Sequence, residues 1–114
     1  MSQASPSIAA KACSYVPPSP FVCGWEPDGS ESALIHLRGE LDLSTLRSFE
    51  ETLRNAQLHA STVSIDLREL EFIDCAALGV VFTASAAARQ SGGSLVLVRG
   101  SGQVNRVLKL TDLL

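Results

Sequence analysis

Two short runs, FVCGWEP and SALIHL, alternate apolar and polar residues on either side of DGSE. Alternation with a period of two puts the apolar side chains on one face of a strand, and Asp28-Gly29 supplies the positive φ angles of a tight hairpin. The first two strands are therefore expected to pair antiparallel. After Gly39 the period changes. Leu46, Phe49, Leu53 and then Ala56 or Gln57 recur in steps of three and four, the single apolar stripe of a helix, with Ser44 or Thr45 available to cap its start. TVSIDL returns to strand alternation, Val63, Ile65 and Leu67 against Ser64 and Asp66, and Leu70, Phe72 and Ile73 lead on to a break at Asp74-Cys75. Beyond the break, Leu78, Val81, Phe82, Ser85 and Ala88 share the inward face of a second helix, which Ser91-Gly92-Gly93 stops. SLVLV is continuously apolar, as a strand covered on both sides should be. Val104, Val107, Leu108 and Thr111 close the chain at helical spacing.

The order strand, strand, helix, strand, helix, strand, helix predicts an α/β fold: a mostly parallel sheet with an antiparallel first strand and crossover helices. Residues 1–20 are rich in Ser, Ala and Pro, with Pro17, Pro18 and Pro20 opposing regular structure, and are expected to form a flexible tail before a domain at 21–114. No internal repeat is visible.

Composition narrows the function classes. A chain of 114 residues that is 46% hydrophobic has material for one small core, not for a multi-domain enzyme. A net charge of -3 offers no basic field for a phosphate backbone, so nucleic acid is not an expected partner. No apolar run approaches the roughly 20 residues of a membrane helix, and the start lacks a charged segment followed by an apolar one. Direct membrane insertion is therefore not expected, and the expected location is cytoplasmic. Three cysteines, Cys13, Cys23 and Cys75, without Cys-x-x-Cys spacing, fit reduced thiols, and two histidines, His36 and His59, are poor material for a metal site. The glycines form no phosphate-binding pattern, and neither a cofactor nor enzymatic activity is expected.

Chemistry concentrates at the break. Asp74 precedes a helix and suits an N-cap. Cys75 lies in the first turn, where partial positive charge can lower a thiol pKa, but cysteine is also a commonly buried small hydrophobe; exposure separates the two readings. Neither histidine has a feature placing it beside Cys75 as a base. Glu40 and Asp42 form a carboxylate pair or simply a polar loop before a helix. Trp25 reads as core or hairpin packing.

LIHLRGELDLST, VSIDLRELEFIDCAALGVVFTASAAARQSGGSLVLV and VNRVLKLTDLL together resemble the STAS domain, shared by sulfate transporters and anti-sigma factor antagonists. The resemblance spans about residues 21–114 and rests on Gly39-Glu40-Leu41-Asp42, Asp66-Leu67, Phe72-Ile73-Asp74 with Leu78-Gly79, and Gly92-Gly93. It implies an anti-sigma factor antagonist that binds an anti-sigma factor, often itself a serine kinase, and so regulates sigma-factor-dependent transcription. It also implies partner contacts from Gly39, Glu40, Asp42, Ser44, Asp74, Cys75, Ala76, Ala77 and Leu78. The family's phosphoacceptor serine is replaced here by Cys75, so the expected switch cannot be written there. Constitutive binding of the anti-sigma factor is the expected consequence, and oxidation of Cys75, to a sulfenic acid or a disulfide with Cys13 or Cys23, is the alternative off-signal. Ser44 and Thr45 are weaker substitute acceptors. The resemblance implies a further strand and helix past Leu114, so the expectation is either an edge covered by a partner or a second copy, as in a homodimer, or a shortened, less stable domain or truncated reading frame. The rival within the family is a STAS subunit of a lipid- or anion-transport complex, and a ligand-sensing STAS domain is a third reading.

Overall fold

The computed structural model describes residues 20–100, 102 and 104–106. Strand β1 (Val22–Pro27) and strand β2 (Ser32–Leu41) pair antiparallel, Trp25 opposite Ile35, through a four-residue loop rather than a two-residue turn. Helix α1 (Leu46–His59) then crosses to β3 (Thr62–Ile73), and α2 (Cys75–Gln90) crosses to β4 (Ser94–Val98). The sheet order is β1-β2-β3-β4, with β2, β3 and β4 mutually parallel. The expected architecture is the observed one.

Consecutive parallel strands step in one direction, so right-handed crossovers place both helices on the same face of the sheet. That face carries Ala33, Ile35, Leu37 and Leu41 from β2 and Val63, Ile65 and Leu67 from β3, all buried, with Leu95 and Leu97 of β4 packed against them. From α1 it receives Phe49, Leu53 and Ala56, and Gln57 is exposed, so the ambiguity at the end of the stripe resolves to Ala56. Val104 joins the same core; Val107, Leu108 and Thr111 lie outside the described residues.

Two irregularities explain why β3 does not keep strict alternation. Its register against β2 slips between His36 and Arg38 and again between Gly39 and Glu40. Each bulge adds one residue to β3, so the inward residues become Leu67, Leu70 and Ile73, three apart. One twelve-residue strand therefore runs without interruption to Asp74.

Two sequence expectations need correction. Phe82 is 49% exposed, because α2 turns only Ala77, Leu78 and Val81 fully into the core. β4 is not covered on both sides: Val96 is 45% exposed on the face opposite the helices. That face also carries His36, whose Nε2 lies 2.7 Å from Oε2 of Glu26, and the Asp66–Arg68 pair at 2.8 Å. Helix α2 ends as expected: Gly92 takes φ 84°, and the N–H of Gly93 donates to the carbonyl of Ala88 at 2.8 Å.

Candidate functional site

Parallel pairing brings the ends of β2 and β3 together, Leu41 beside Ile73. The chain therefore leaves both strands at one place, and the loop at 42–45 meets the start of α2 there. Asp74 joins the two. Its backbone N–H donates to the carbonyl of Leu41 at 3.2 Å. Its Oδ1 accepts from the N–H of Ala77 at 3.0 Å, which caps α2 as the sequence predicted. Its Oδ2 accepts from the N–H of Leu43 at 3.1 Å, so the capping carboxylate also holds the neighbouring loop.

The loop is organised from within as well. Asp42 Oδ1 accepts from the hydroxyl of Ser44 at 2.7 Å and from its N–H at 3.0 Å. Those bonds, the Ser44 hydroxyl foremost, hold the Asp42 carboxyl below the usual range. Thr45 occupies the N-cap position of α1 but makes no side-chain cap bond. Its Oγ1 instead donates to the carbonyl of Glu40 at 2.9 Å and accepts from the N–H of Asp42 at 3.0 Å. Ser44 likewise bonds Asp42, so neither expected cap serves α1. Thr45 fastens the loop to the end of β2.

On this frame Cys75 and Ala76 are exposed, and Leu43 is 75% exposed at the loop tip. The reading of Cys75 as a buried small hydrophobe is thereby set aside. Ser44 is exposed, Asp42, Asp74 and Glu40 are half-buried, and Gly39 is buried with φ 92°. Ala77 and Leu78 are buried and anchor the helix start to the core, so that Cys75 and Ala76 are its outward side chains. Leu43 was absent from the expected contacts. Its signal was an apolar residue between Asp42 and Ser44 in an otherwise polar capping loop.

The other candidates lie elsewhere. Cys23 pairs with Leu37, four positions back from Leu41, about 13 Å along the sheet at 3.3 Å per residue. A disulfide tolerates Cα separations of up to about 7 Å, so Cys23 is no redox partner for Cys75. Burial also pushes the Cys23 thiol up, with the Thr52 side chain partly offsetting it. Cys13 lies outside the described residues. His36 bonds Glu26 on the open face of the sheet, and His59 lies with its ring centroid 5.1 Å from that of Trp25. Neither is a base for Cys75. Among the described residues no three His, Cys, Asp or Glu side chains cluster to hold a metal ion.

A family model described as "Mlab, STAS domain" matches residues 27–113. The chain belongs to the STAS domain family. Its fold is also that of solved STAS-type proteins. The anti-sigma factor antagonist SpoIIAA in its unphosphorylated form matches with a TM-score of 0.69 at 23% identity, over 82% of this chain and 82% of that one. The phosphorylated form of the Bacillus cell fate determinant SpoIIAA matches with a TM-score of 0.65 at 23% identity, over 82% of this chain and 85% of that one. An anti-sigma factor antagonist from Mycobacterium paratuberculosis matches with a TM-score of 0.66 at 20% identity, over 82% and 80%. No curated protein matches this STAS chain.

Proposed function

We propose that this STAS domain is an anti-sigma factor antagonist: a binding protein, not an enzyme, that docks an ATPase- or kinase-type anti-sigma factor. The docking surface is the 39–45 loop with the start of α2. The observation that carries this reading is the exposed Cys75 at a helix start whose cap, Asp74, also clamps the adjoining loop. The small, uncharged side chains of Cys75 and Ala76 on this braced helix start suit close docking, because little side-chain entropy is lost when they are covered. The likeness to solved antagonists supports the same reading.

Cys75 replaces the expected phosphoacceptor with a thiol of similar size. An ordinary serine kinase cannot place a phosphate there, so the partner is held without that off-signal. A phosphate would bring about -1.5 to -2 charge to the docking face. The thiol brings none. The proposed location is cytoplasmic; among the described residues no helix is long and apolar enough to cross a membrane.

A second reading, which the resemblance to the STAS family also implies, is a STAS subunit of a lipid- or anion-transport complex that needs no phosphoserine. Co-purification of the tagged chain from its native host separates the two. Recovery of an ATPase-type anti-sigma factor is the expected result, and recovery of a permease with its ATPase instead would transfer the protein to the second reading.

A further inference from the structure

From Cys75 to Ala88 helix α2 carries no charged side chain, yet only Ala77, Leu78 and Val81 are fully buried. A helix that is apolar on every side is ordinarily covered on every side. Its outward stripe is Cys75, Gly79, Phe82, Ala86 and Arg89, all exposed except the half-buried Ala86 and spaced four, three, four and three, the repeat of a two-helix seam. Phe82 stands out from this stripe, 49% exposed. Gly79, one turn before it, is exposed, and a Cβ there would meet nothing within 4 Å. Glycine destabilises a helix interior relative to alanine, and the packing within this chain gives no return for it. The stripe thus holds a projecting ring and, beside it, a notch that the fold of one copy leaves unused.

We propose that this face docks a second copy of the chain, α2 against α2, antiparallel about a two-fold axis between positions 80 and 81. Phe82 of each copy then fills the notch over Gly79 of the other. A knob and a hole within one patch are what a two-fold contact requires, since the same surface must serve both sides. Charge agrees with this choice of occupant. The stripe is neutral up to Arg89, so no like charges of the stripe face each other across the seam. Antiparallel pairing also carries Arg89 of one copy toward the end of the other that holds Asp42 and Asp74, and aligns opposite helix ends. Cys75 then faces Ala86 of the other copy and is covered. On the antagonist reading above, self-association and partner docking therefore exclude each other, an off-state that needs no phosphate.

The test is sedimentation of the full chain over a range of concentrations, beside the Phe82→Glu variant. A monomer–dimer equilibrium is expected, with association at least tenfold weaker in Phe82→Glu and, at a dilution where both chains are monomeric, an unchanged circular dichroism spectrum and Tm. In a Cys13→Ser background, the Ala86→Cys variant treated with a short bis-maleimide should give a covalent dimer joining Cys75 of one copy to position 86 of the other. The same treatment without Ala86→Cys should not. A chain that stays monomeric throughout overturns the proposal, as does a dimer that ignores Phe82→Glu and yields no cross-link. A monomer whose binding to an anti-sigma factor is lost in Phe82→Glu would give the face to that partner instead. Sedimentation needs no partner, so failure here leaves the antagonist reading standing.

Discussion

The backbone N–H of Leu43 donates to Oδ2 of Asp74 at 3.1 Å across 31 positions of sequence, while the other oxygen of the same carboxylate caps α2. One side chain therefore sets both halves of the proposed docking surface. Asp74→Ala should cost about 1–2 kcal/mol of stability, the usual loss of an N-cap, read from the urea midpoint at constant m. The amide of Leu43 should also exchange faster with deuterium. An unchanged Leu43 rate would mean that the loop is held without Asp74.

Two glycines should respond in opposite directions. Gly39 is buried at φ 92°, where an L side chain is strained, so Gly39→Ala should destabilise the chain by about 1–3 kcal/mol. Gly79 lies in the middle of α2 with open space beside it, and Gly79→Ala should stabilise the single chain by up to about 1 kcal/mol. Thermal unfolding at a dilution where the chain is monomeric compares them, and equal shifts would contradict the geometry.

Charge at position 75 is the direct probe of docking. Cys75→Asp should weaken binding to the anti-sigma factor by tenfold or more, about 1.4 kcal/mol, because a carboxylate is carried into a surface shaped for a neutral group. Cys75→Ser should bind like the wild type and become a phosphate acceptor if the partner retains kinase activity. Titration calorimetry and a phosphotransfer assay read the pair. Unchanged affinity in Cys75→Asp would remove the helix start from the interface.

Acid should act through two aspartates. The Nε and a terminal nitrogen of Arg68 hold the Asp66 carboxyl below the usual carboxylate range, and the Ser44 hydroxyl chiefly does the same for Asp42. A carboxyl depressed in the folded state contributes stability above its unfolded pKa of about 3.9, and that contribution is lost as pH falls through the lower folded value. Urea midpoints should therefore drop below about pH 4. Asp66→Asn should flatten part of that limb. The effect should be modest and weaken with salt, since the Arg68 side chain is 67% exposed.

The order of elements, the antiparallel first pair, the parallel remainder and the cap at Asp74 were all legible in the sequence. Each follows from a local rule: a period of two or of 3.6, a turn dipeptide, or a capping residue before an apolar run. Tertiary structure decided the rest. Periodicity places Phe82 and Leu78 on one broad face of α2, but only the position of the sheet beneath determines that Leu78 is buried and Phe82 is not. Likewise the exposure of Cys75 and the second bond of Asp74 depend on β2 ending beside β3, a juxtaposition made by hydrogen bonds between strands far apart in the chain. A sequence pattern sets the angle at which a side chain leaves its element; what stands in front of that side chain is a property of the assembled layers.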